Sequence, residues 1–165
     1  MKKVFLAVIS AAVIALCMCS CGNSNAGSGS GTASTAAKEI NLSEVISTIN
    51  SSSPNQMELI EGVDDLNKYY SISKEDVKSF GAEIDKSGID EVVIVEAVDA
   101  DAAARIQAKL QQRYNSKKQL GASYSPEDLQ IRKNCSVKTN GNIVSMIISS
   151  NAGAMEEVLN SAVNG

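Results

Sequence analysis

Asn140-Gly141 stands between two runs of alternating apolar residues, Asn134 to Thr139 and Asn142 to Ser149. Two residues that tolerate positive φ between strand-like segments are the strongest short-range signal for an antiparallel hairpin. A two-residue type I′ turn at Asn140-Gly141 is therefore expected. Cys135, Val137 and Thr139 should lie on one strand face, and Ser136 and Lys138 on the other. A second hairpin is legible upstream. From Val77 the apolar period becomes two, with Phe80, Ala82 and Ile84 alternating with Ser79, Gly81 and Glu83. Asp85-Lys86-Ser87-Gly88 turns the chain into the β-branched run Glu91 to Val98.

Helical periods surround these hairpins. Asn41 caps a segment with Leu42, Val45, Ile46 and Ile49 on one face. Val63 to Tyr70 is a short helix, and Ser73 caps a further turn. Asp99 caps a long helix to about Lys117, with Ala103, Ile106, Leu110 and Tyr114 inward. Ala152 to Val163 is a last helix presenting Met155, Val158, Leu159 and Ala162. The expected class is α+β. It is a single small domain with an antiparallel sheet of about four strands, two hairpins linked by a long helix, and helices packed on one face.

The N-terminal residues belong to a different regime. Lys2 and Lys3 precede an apolar run from Val4 to Leu16, then Cys17-Met18-Cys19-Ser20-Cys21. A short positive start, an apolar core and small residues before a cysteine make a signal peptide of the lipoprotein kind. The apolar run is shorter than the ~20 residues a membrane span requires. Cys21 is the expected lipid-attachment residue, because Cys17 and Cys19 each follow a bulky residue. Two acyl chains give stable membrane hold where one does not. Residues 1–20 are read as leader and 21–37 as lipidated cysteine plus tether. The tether contains only glycine, serine, threonine, alanine and asparagine after Cys21, a composition that behaves as flexible coil. Residues 38–165 are the α+β domain.

Removing the leader takes two lysines and moves the net charge from -4 to -6. An acidic chain lacks the basic footprint of a nucleic-acid binder. The chain has no histidine and no tryptophan. Histidine-based nucleophile pairs and histidine metal sites are therefore excluded, and no cofactor motif or metal-ligand set is present. Once Cys17 and Cys19 leave and Cys21 takes lipid, only Cys135 remains. No internal disulfide is then available, and Cys135 reads as a small buried hydrophobe.

Four features carry candidate chemistry. Arg105, Lys109, Arg113 and Lys117 recur every four residues and form a stripe on the long helix. The stripe is either a docking face for anionic lipid headgroups or wall polymers, or a solvated face suited to the helix dipole, with Asp101 pairing Arg105. Glu83, Asp85 and Glu96 are on neighbouring strands and either approach as a carboxylate pair, able to cleave glycosides or bind cations, or are surface charges that keep an exposed face soluble. Ser71-Ile72-Ser73-Lys74 matches S-x-x-K, but S-D-N is absent and Lys138-Thr139-Asn140-Gly141 interrupts K-T-G with an asparagine. A capping serine is the better account. Asp99-Ala100-Asp101 lacks the glycine and glutamate of a calcium loop, since Ala104 and Leu110 stand there.

The leader, the tether, YYSIS at Tyr69–Ser73, EVVIVEAVDADAAARIQAKLQQR from Glu91 to Arg113 and TNGNIVSMIIS from Thr139 to Ser149 together resemble a known family. It is a domain of unknown function that recurs in lipoproteins of clostridia-like Gram-positive bacteria, and the resemblance runs from about Glu39 to the end. It implies an extracytoplasmic, membrane-anchored lipoprotein and transfers no catalytic residues. The expected function is a non-enzymatic binding or accessory domain at the cell envelope, whose partner is an envelope protein or an anionic wall polymer. The alternative is an envelope-glycan hydrolase using a carboxylate pair.

Overall fold

The computed structural model describes residues 39–53, 55–86, 88–121 and 125–165. Lys38–Gly165 forms one compact unit. The leader, Cys21 and the tether lie outside the described residues.

Asn41 starts α1 (Leu42–Ser51), its side-chain oxygen accepting from the Glu44 N–H at 3.3 Å. A short strand β1 (Glu58–Leu59) leads to α2 (Val63–Tyr70) and a 3₁₀ turn at Lys74–Asp76. Next come β2 (Val77–Ile84), β3 (Glu91–Ala97) and the long α3 (Ala100–Gly121). Asp99 caps α3 by accepting from the Ala102 N–H at 2.7 Å. Ser125 likewise caps α4 (Pro126–Asn134), accepting from the Asp128 N–H at 3.0 Å. β4 (Ser136–Asn140), β5 (Ile143–Ile148) and α5 (Ala152–Asn164) complete the domain.

The fold is α+β, as the periodicities indicate. Its sheet is antiparallel throughout, in the order β1-β2-β3-β5-β4. Both expected hairpins form, and β1 adds a fifth strand at one edge. Helices cover both faces rather than one. Val93, Val95, Val144 and Met146 pack with Ile106, Leu110 and Tyr114 of α3. Val92, Ile94, Ile143 and Ile147 pack with Ile46 and Ile49 of α1 and with Met155 and Leu159 of α5. The reason is visible in β3, where Val92, Val93, Ile94 and Val95 are all completely buried. A strand covered on one face alternates, whereas one covered on both reads as an uninterrupted apolar run. Each such side chain contributes about 1.5–3 kcal/mol by leaving water.

The second hairpin also differs in its turn. Asn140 pairs with Ile143, so the connecting residues are Gly141 and Asn142. Gly141 has φ +57°, while Asn142 is not among the residues at positive φ. Glycine alone at the first central position follows the type II′ pattern rather than type I′. Cys135 ends α4 instead of starting the strand, and it is buried as expected.

Candidate functional site

α1 crosses β2 at Gly81. A β-carbon there would stand 2.8 Å from the Leu42 carbonyl oxygen and closer still to the Ile46 side chain. Only glycine lets the helix approach this near. Beyond the crossing, the chain after β1 swings away into α2 and leaves a groove of about 1310 Å³. Ile46 and Asn50 of α1 line it, with Met57 and Ile60 around β1 and Phe80 and Glu83 of β2.

Glu83 is the group in this groove that most needs explanation. Its side chain is only 2% exposed, and its Oε2 has no hydrogen-bond partner among the described residues. Burial pushes its pKa up to about 7, against the smaller opposing pull of the Asn50 amide. Near neutrality such a carboxyl exists in both forms, so it can accept a hydrogen bond or hold a proton. A buried polar atom without a partner is costly, and a ligand donor would remove that cost.

The basic stripe of α3 is largely turned to internal use. Arg105 Nη2 lies 2.6 Å from Asp76 Oδ1, so it pairs with the 3₁₀ turn and not with Asp101. Arg113 and Lys117 both reach Glu91, at 2.9 and 2.8 Å. Lys109 is exposed.

The three acids do not converge. Glu96 faces Ser79 across the ladder, four positions along β2 from Glu83, or about 13 Å. Glu83 and Glu96 are therefore not cross-strand neighbours. Glu96 is held by Lys78 Nζ at 2.6 Å and Ser79 Oγ at 2.8 Å. Asp85 sits in the β2–β3 turn, accepting from the Gly88 N–H at 2.9 Å.

A family model described as Domain of unknown function (DUF4358) matches residues 50–149, more than half of the chain. The chain belongs to the DUF4358 family. No curated protein and no solved structure matches it. The DUF4358 match takes in the whole sheet, α2, α3 and α4. It leaves out α5 and nearly all of α1, the two helices that cover the second sheet face. The groove of this DUF4358 protein thus joins a wall outside the match to a β2 floor within it.

Other residues singled out by pattern have structural places. Ser71 ends α2 in the left-handed conformation at φ 56°, and Ser73 precedes the 3₁₀ turn but does not cap it with its side chain, because its hydroxyl donates to the Glu75 carboxylate. Lys138 pairs with Glu156 of α5 at 2.6 Å. No group of acids, cysteines or histidines suited to a metal ion occurs among the described residues. No described helix is long and apolar enough to cross a membrane. Alternation gives Glu83 the look of a solvent-facing residue. The neighbouring Gly81, on the same strand face, is the local sign that a helix covers that face.

Proposed function

We propose that this DUF4358 protein is a lipid-anchored, extracytoplasmic binding domain whose ligand site is the groove between α1 and β2. The observation that carries the reading is Glu83 Oε2, buried and without a partner among the described residues in a groove of about 1310 Å³. Large concave sites with a few convergent polar groups are the usual places for ligands. The anchor rests on the leader ending at Cys21 and on the polar tether that follows it. A non-enzymatic role is supported by the absence of histidine and by the engagement of Glu96 with Lys78 and Ser79.

Two measurements test this. Cells expressing the chain should incorporate labelled palmitate, and the Cys21→Ala variant should not; equal labelling would exclude Cys21 as the anchor. A photo-crosslinking residue at Ser47, on the groove wall, should give a discrete adduct in intact cells. The same residue at exposed Lys109 should not. Failure to form an adduct at Ser47 would remove the groove as the binding site.

A further inference from the structure

The backbone beside the groove is as informative as its side chains. β1 pairs with only the last two residues of β2, Glu58 opposite Ile84 and Leu59 opposite Glu83. One more bond follows, from the Ile60 N–H to the Ala82 carbonyl at 2.9 Å, before the chain departs toward α2 at Gly62. That bond shows that the Ala82 backbone groups face the β1 side. In an antiparallel strand alternate residues present their N–H and C=O to the same side. Phe80 therefore directs its N–H and C=O where β1 would have continued. No described strand pairs with Val77–Gly81 on that side, and these five residues line the groove.

Free edges invite another strand, so proteins commonly block them with charge, proline or a covering element. Here Val77–Gly81 contains no proline, and its single cation, Lys78, is drawn to Glu96 at 2.6 Å. β2 bulges between Val77 and Ser79, so the regular part of the free edge is Ser79–Gly81, about 10 Å long, room for an extended segment of about three residues. The groove also exceeds the about 300–1,000 Å³ of a drug-sized site. Ile46, Met57 and Ile60 offer apolar contact, and Glu83 offers an acceptor.

We infer that the groove takes an extended polypeptide segment of a partner protein. The segment adds as a strand to β2 at Ser79–Gly81, with a donor-bearing side chain turned toward Glu83. Main-chain hydrogen bonds supply affinity in this mode and alternate side chains supply specificity. The inference rests on the reading of the groove as the ligand site and names the class of ligand.

The test pans a random peptide library against the full-length lipidated chain in detergent micelles. Peptides that bind are then remade with a single N-methyl group at each position in turn. Strand addition predicts that N-methylation at alternate positions weakens binding by about tenfold or more, and that intervening positions tolerate it. The Phe80 amide should also become protected from hydrogen exchange. The Ser47→Trp variant, which puts a large side chain into the groove from an exposed wall position, should abolish binding. If Ser47→Trp abolishes binding but N-methylation shows no alternation, strand addition is overturned while the groove remains the site. If Ser47→Trp has no effect, the groove reading itself fails. Recovery of no peptide binding at about 100 μM or tighter would also overturn the inference.

Discussion

Glu91 and Arg113 form a two-point ion pair at the start of β3. Arg113 Nε donates to Glu91 Oε1 at 2.9 Å and Nη2 donates to Oε2 at 3.2 Å. Lys117 adds a third contact to the same carboxylate. Glu91 is completely buried, and the Arg113 guanidinium lies 5.7 Å from the centre of the Tyr70 ring. Two cations one helical turn apart thus join α3 to the central strand. Removing Arg113 leaves Lys117 on the buried Glu91 carboxylate, so the charge stays partly compensated while two charge-assisted hydrogen bonds are lost. Arg113→Ala should lower the unfolding free energy by about 2 kcal/mol in chemical denaturation. Arg113→Lys should lose less, because it keeps the charge without the planar fork.

Gly81→Ala tests the approach of α1 to the sheet. The new methyl group would meet the Leu42 carbonyl and the Ile46 side chain, so the helix has to shift. A loss of about 1–3 kcal/mol is expected, the usual cost of overpacking. Amide exchange should localise the loosening to α1. Unchanged stability would show that α1 does not press on β2.

Glu83 makes stability depend on pH in an unusual direction for an acid. Its folded pKa is about 7 against an ordinary 4.5, so the folded state holds the proton more tightly. Its contribution is fully present below the unfolded value and disappears as pH rises through the folded one. Stability should therefore fall between about pH 5 and pH 8, and Glu83→Gln should flatten that slope. Asp90, whose pKa burial also raises, adds a slope of the same sign at its own titration. Thermal unfolding of both chains across this range measures the effect. An identical slope in the two would show that Glu83 titrates normally.

Ser71 holds the left-handed conformation that ends α2, at φ 56°. Its N–H still donates to the Asn67 carbonyl, at 2.7 Å, so the conformation completes the last turn. A residue with a β-carbon costs roughly 1–2 kcal/mol there, partly offset by the extra freedom glycine has when unfolded. Ser71→Gly should raise stability by up to about 1 kcal/mol, read from the denaturation midpoint. Loss of stability would indicate that the Ser71 hydroxyl matters more than its backbone.

Local signals carried much of this fold. Asp99 capped α3, and the apolar stripe Ala103, Ile106, Leu110 and Tyr114 turned inward because its spacing matches the helical turn. Alternation from Val77 and the glycine turn after Asn140 specified two antiparallel hairpins. These are relationships among residues close in the chain, where period and capping chemistry act directly. What covers each sheet face was settled only by packing between distant segments. α1 and α5 meet on the second face, although about a hundred residues separate them, and no local period encodes that meeting. The same limit applies to charge. Arg113 and Lys117 have the spacing of a solvated stripe, yet they face a buried glutamate more than 20 residues away in the chain. Glu83 alternates like a surface acid, yet it lies beneath a helix that Gly81 admits. Sequence determined most of the elements because their energetics are local, but not the short β1 or α4, which lack a clear apolar period of their own. Tertiary structure decided which charges are buried and where the groove opens, because desolvation depends on what long-range packing places nearby.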